Sequence, residues 1–129
     1  MKNVLLYIWQ LPQNLLGLIL YAFFKANRQV ESVCKENSRV IARIPQWGFG
    51  ISLGRYIIIG QVNDFDTTLK HEIGHCVQSL RCGPLYLLIV GIPSLWRGLM
   101  LSRGKGLKWY YSGWPEKHAD KLGGVEREA

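Results

Sequence analysis

The chain has 129 residues, 48% of them hydrophobic, with five Trp, six Tyr and a formal net charge of +7. That length gives one domain with a modest core and excludes two. No run of Lys and Arg carries the charge and no nucleic-acid recognition motif accompanies it, so an anionic membrane surface is a better partner than nucleic acid.

Residues 3 to 24 hold no charged side chain. Val4 to Trp9 and Leu15 to Phe24 are apolar, separated by Gln10-Leu11-Pro12-Gln13-Asn14. The stretch has the length of a span, about 20 apolar residues, but Pro12 removes a helix donor and breaks or kinks it. Three arrangements fit: one kinked transmembrane helix, a short helix followed by an interfacial one, or a buried hairpin. Membrane insertion or embedding is the expectation, with Tyr7, Trp9 and Tyr21 as interfacial anchors. A cleaved signal peptide fits poorly, because the apolar core is interrupted and no small-residue cleavage site follows. If the stretch spans, Lys25, Arg28, Lys35 and Arg39 behind it place the rest of the chain in the cytoplasm. The organisation expected is a single domain over 1–129, with 1–24 as an apolar N-terminal membrane segment and 25–129 as the part that carries the site.

Between residues 25 and 40, Ala26, Val30, Val33, Cys34 and Val40 recur at roughly helical spacing and predict a short amphipathic helix. Ile41 to Ile44 reads as a strand, Pro45-Gln46-Trp47-Gly48 as a turn, and Phe49 to Leu53, Gly54-Arg55 and Tyr56 to Val62 as a hairpin. The β-branched run Ile57-Ile58-Ile59 is the strongest strand signal. Such a strand can serve as core sheet, offer its edge to an extended peptide, or both.

Asn63-Asp64-Phe65-Asp66-Thr67 supplies helix start signals, with Asp64 or Asp66 to cap the free amides. The helix predicted runs from Thr67 to Leu80 and ends at Gly83-Pro84. It contains His71-Glu72-Ile73-Gly74-His75, two of the three histidines in the chain. Residues four apart share a helix face, so both imidazoles can close on one ion. Glu72, turned about 100° away, can reach a water on the metal instead of the metal itself. This is the HExxH spacing of a zinc site with a general base. Gly74 costs the helix about 1 kcal/mol against Ala, and its use is to let a backbone or a substrate approach. Cys34, Cys76 and Cys82 are an odd number without framework spacing and read as reduced thiols, Cys76 as a buried one.

Leu85 to Trp96 is a second uncharged apolar stretch, too short to span as a helix. It fits a core helix, a re-entrant segment or an interfacial hairpin, with Arg97 free to snorkel. Ser102 to Gly106 reads as a basic loop near lipid head groups.

Catalytic zinc takes three protein ligands and keeps one open position. After His75 the candidates are Glu116, His118, Asp120, Glu126 and Glu128. Gln78 and Arg81 stand where the metzincin pattern requires glycine and histidine, which excludes that class. Glu116 and Asp120 are four apart, and Pro115 suits the first turn of a helix carrying both. One carboxylate can then bind the metal while the other accepts a hydrogen bond from a ligating imidazole. His118, offset by two residues from Glu116, points about 160° away.

With HExxH followed by Glu116-Lys117-His118-Ala119-Asp120, the sequence resembles the gluzincins, in the ExxAD form of their membrane members, the CAAX prenyl protease and HtpX-type heat-shock proteases. The likeness covers the two motif helices and the presence of apolar segments, about a quarter of the chain. It implies His71, His75 and Glu116 as zinc ligands, Glu72 as base and Asp120 as the partner of a ligand histidine, His71. Tyr110, Tyr111 or His118 would fill the role of transition-state donor. The fold implied is α+β and zincin-like: a small antiparallel sheet or hairpin, the HExxH helix and a downstream glutamate helix, with apolar membrane-associated segments. The activity implied is zinc-dependent hydrolysis of a peptide or protein substrate at a membrane, Glu72 activating a zinc-bound water. The alternative from another class is a non-enzymatic membrane adaptor whose zinc only fixes the fold, for which Cys76 or Cys82 would be a fourth ligand. An injected or secreted effector protease is a third option that nothing in the sequence demands.

Overall fold

Val40-Ile41-Ala42 and Tyr56-Ile57-Ile58-Ile59 are buried without interruption, the pattern of strands covered on both faces. They form the middle of a four-stranded sheet in a computed structural model that describes residues 2–36, 39–46, 50–62 and 64–125. Two helices come first, α1 (Lys2–Trp9) and α2 (Leu11–Ala26), then β1 (Ser32–Glu36), β2 (Arg39–Arg43), β3 (Gly50–Leu53) and β4 (Tyr56–Ile59). The long helix α3 (Phe65–Cys82) follows, then a 3-10 turn (Gly83–Leu85), a π-helical turn (Leu87–Gly91), α4 (Ile92–Ser102), α5 (Leu107–Tyr110) and α6 (Glu116–Gly123).

The architecture is α+β, but the sheet is mixed, not antiparallel. Its order is β1-β2-β4-β3; β1 pairs antiparallel with β2 and β3 with β4, while β2 and β4 run parallel, Ile41 opposite Ile57. β4, the most apolar strand, therefore lies inside the sheet, and β3 folds back across Gly54 to take the outer edge. Residues 32–36 form an edge strand where a helix was predicted. Val33 and Cys34 are exposed there, so the apolar spacing in this stretch does not mark a buried helical face. Trp47, Gly48, Phe49 and Asn63 of the predicted turn, strand and helix start, and Glu126 and Glu128 among the candidate ligands, lie outside the described residues.

Alternation along the central strands divides the core in two. Ala42, Ile44 and Ile58 pack with Phe24 of α2, and Ile41, Ile57 and Ile59 pack with Cys76 of α3. The N-terminal stretch is thus part of the fold. Its polar break becomes the joint between α1 and α2 and bonds to the rest of the protein. Gln13 Nε2 donates to Ser79 Oγ at 2.8 Å and to the Gly83 carbonyl at 2.9 Å, and Ser79 donates to Gln10 Oε1 at 2.5 Å. Asn14 Oδ1 accepts from the Arg55 amide at 2.7 Å, beside the positive φ of Gly54. No helix among the described residues is long and apolar enough to cross a membrane.

Candidate metal centre

Asp64 caps α3, its side chain accepting from the Thr67 amide at 3.2 Å, so the helix starts two residues before the predicted Thr67. His71, Glu72 and His75 lie on the buried side of α3, and their donor atoms fall within 4.8 Å of one another. This group can hold a metal ion. The imidazoles meet edge to face, their ring centres 4.7 Å apart.

α6 brings the remaining carboxylates. It packs on α3 through two contacts that only glycine allows: a Cβ on Gly74 would lie 1.9 Å from the Ala119 carbonyl oxygen, and one on Gly123 would lie 1.9 Å from that of Lys70. The backbone that Gly74 admits is α6. At this separation Glu116, completely buried, sets Oε1 at 3.1 Å from His71 Nε2 and 2.8 Å from His75 Nε2. The outer nitrogens are occupied as well: His71 Nδ1 is 2.7 Å from Asp120 Oδ1, and His75 Nδ1 is 2.7 Å from Gln78 Oε1. Both partners are acceptors, so both imidazoles carry a proton on Nδ1 and turn Nε2 toward Glu116.

The electrostatics follow from this packing. Burial opposes charge on His71, but its hydrogen bonds to Asp120 and Glu116 prevail and raise its pKa to about 9. Burial also opposes charge on Glu116, and the bonds from His71 and His75 overcome it and hold the carboxyl down at about 2. Glu72 behaves differently: burial pushes its carboxyl up, against the pull of His75 and His71. Glu72 Oε2 and Glu116 Oε2 are buried with no hydrogen-bond partner among the described residues. Two orphaned carboxylate oxygens beside two paired Nε2 atoms are a donor set that suits a dication. Neither Cys76, whose thiol lies 3.2 Å from Ser52 Oγ, nor Cys82 belongs to the donor group among the described residues.

His118 is turned aside. Its Nδ1 accepts from Gln78 Nε2 at 3.0 Å and its ring lies 5.2 Å from that of Trp114. Tyr111 meets His71 edge to face at 5.2 Å and stacks at right angles on Tyr110, 4.7 Å away. Burial and the Glu116 and Glu72 charges push the Tyr110 phenol up, so it stays protonated.

Two residues act here without a spacing signature. Gln78 joins His75 to α6, since its Nε2 also donates to the Pro115 carbonyl at 3.1 Å. Arg97 does not snorkel. It donates to the carbonyls of Trp114 at 2.7 Å, Trp109 at 2.8 Å and Tyr110 at 3.2 Å, fixing the segment that leads into Glu116. A lone arginine in an apolar stretch was the available sign of that role; Gln78 offered only its position three residues after His75.

Comparison of the chain with protein-family models, with curated proteins and with solved structures finds no match.

Proposed function

We propose that the chain is a small zinc-dependent endopeptidase of gluzincin type, with a zincin-like site built on α3 and α6. The observation that carries this reading is the convergence of His71 Nε2, His75 Nε2 and Glu116 Oε1, with the outer ring nitrogens fixed by Asp120 and Gln78. His71, His75 and Glu116 would hold the zinc. When bound, zinc supplies Lewis acidity toward a carbonyl and lowers the pKa of water.

Glu72 supports hydrolysis over a purely structural site. A structural site needs no base, yet Glu72 is buried beside the ligands with an unpartnered oxygen and a pKa raised by burial, which brings it nearer to working pH. It takes the proton of the attacking water and returns it to the leaving amine. β4 lies inside the sheet and has no edge to offer. On β3 the Ser52 carbonyl is taken by the Tyr86 hydroxyl at 3.1 Å, so an extended peptide would meet the Gly50–Ile51 end, where Gly50 leaves room over Glu72, whose Cγ a Cβ there would approach to 3.3 Å. Tyr111, whose ring meets that of His71 at 5.2 Å, and Tyr110 beside it are better placed than His118 to donate to a developing oxyanion.

The test combines metal analysis with peptide hydrolysis. Glu72→Gln should keep zinc and lose hydrolysis; Glu116→Ala should lose zinc, and His118→Ala should keep it. Full hydrolysis by Glu72→Gln, or unchanged zinc in Glu116→Ala, would remove the assignment.

A further inference from the structure

α2 is inverted relative to a helix on an aqueous surface. Apart from Phe24 near its end, the stripe it buries carries Gln13, Asn14 and Gly17, while Leu15, Leu16, Ile19 and Phe23 on the other side are 46 to 59% exposed. α1 likewise exposes Leu5 and Ile8, and α4, which has no buried residue, exposes Leu95 and Trp96. The apolar stretches meet at Gly83. There Trp9 Nε1 donates to the Leu80 carbonyl at 2.8 Å, the Trp9 ring fills the space of a Gly83 Cβ, and Gln13 holds the Gly83 carbonyl. Soluble monomers rarely leave apolar patches beyond a few hundred Å².

The charge is divided along the same line. Residues 1–30 and 73–115 contain eight Lys and Arg and no Asp or Glu, whereas the rest of the chain holds the other eight together with all nine acids. The excess of positive charge therefore belongs entirely to the apolar segments, and Lys25, Arg103 and Lys105 at their ends are exposed. A second copy would set like charge against like charge. An anionic lipid surface complements both the apolar face and its basic ends. At 1.5 Å per residue the 16 residues of α2 extend about 24 Å, short of the roughly 30 Å hydrocarbon core.

We propose that the outer face of α1, α2 and α4 lies in the plane of one leaflet of an anionic phospholipid bilayer, without crossing it. This inference is independent of the metal, and the Glu72→Gln chain serves to test it. Vesicles of phosphatidylcholine mixed with phosphatidylglycerol should bind the protein at least about tenfold more tightly than phosphatidylcholine alone, and salt should weaken that preference. Replacing Leu15, Ile19 and Phe23 together by Gln should lower binding by about tenfold or more while zinc content stays unchanged. On bound protein, a membrane-impermeant amine reagent added outside should label Lys25 and Lys105. The proposal is overturned if the protein stays in water with either vesicle, or if it forms a discrete dimer there that the triple substitution dissociates. It is equally overturned if Lys25 reacts only after the vesicles are opened, which would indicate a span. Zinc content and hydrolysis are read separately, so failure here leaves the peptidase reading standing.

Discussion

His71 and His75 are each held by two partners, and the outer partner decides what the inner nitrogen can do. That one of Glu116 and Asp120 would hold an imidazole follows from spacing, because they sit four apart on one helix face; that it is Asp120 on His71 is implied by the resemblance alone. Gln78 on His75 follows from neither, because a single amide has no periodicity to betray it. Gln78→Leu should leave the His75 Nδ1 proton without a partner and the Pro115 carbonyl with the Ala119 amide alone, and lower zinc affinity by about 10- to 100-fold, read by chelator competition. An unchanged affinity would reduce Gln78 to packing. The same network sets the pH dependence of the metal-free protein. His71, with a folded pKa near 9 against an ordinary 6.5, contributes stability that is complete below 6.5 and lost as pH rises through 9. Glu116, held down to about 2 against an ordinary 4.5, contributes above 4.5 and loses that contribution as pH falls through 2. The chelated protein should therefore have its highest Tm between pH 4.5 and 6.5 and decline toward 9. Added zinc should act oppositely, its stabilisation growing as pH rises toward about 9, because His71 must shed a proton to bind it. Thermal scans with and without chelator check both slopes.

The elements differ in how far local sequence determines them. α3 was legible because the Asp64 cap, the apolar period and the Gly83-Pro84 stop all agree. β1 was not: it is an exposed edge, and edge strands carry little of the alternation that burial imposes. Nor could the parallel pairing of β2 and β4 be read, since it is decided by which strands most need cover on both sides. The α3–α6 seam lies between these cases. Gly74 signalled a close approach without naming the partner. Gly74→Ala weighs two effects: helix propensity gains about 1 kcal/mol, but a Cβ 1.9 Å from the Ala119 oxygen forces the helices apart. Overpacking of this kind costs about 1–3 kcal/mol, so the variant should be less stable by denaturant titration. It should also bind zinc more weakly, because Glu116 moves with α6. Greater stability with undiminished zinc affinity would show that the seam has room for a methyl group.

At the scale of the whole molecule, hydropathy alone divides the chain at residue 24, and the packing ignores that division. Phe24 completes one half of the core with Ala42, Ile44 and Ile58, while Gln10 and Gln13 satisfy Ser79 and the Gly83 carbonyl at the end of the helix that carries both histidines. Hydropathy registers how apolar the stretch is; it cannot register that its few polar residues point inward. Deleting residues 1–26 should therefore fail to release a soluble, competent remainder. One face of the sheet would lose its cover, with the burial of Phe24, Ile44 and Ile58 worth about 1.5–3 kcal/mol each, and the buried hydroxyl of Ser79 would lose its partners at a further cost of about 1–3 kcal/mol; together these reach a net stability of about 5–15 kcal/mol. The truncated chain should show no cooperative unfolding and bind no zinc, whereas the full chain with Leu15, Ile19 and Phe23 replaced by Gln should do both. A truncated chain that unfolds cooperatively and takes up zinc would mean that α2 is an accessory to the fold and that the division by hydropathy is the correct one.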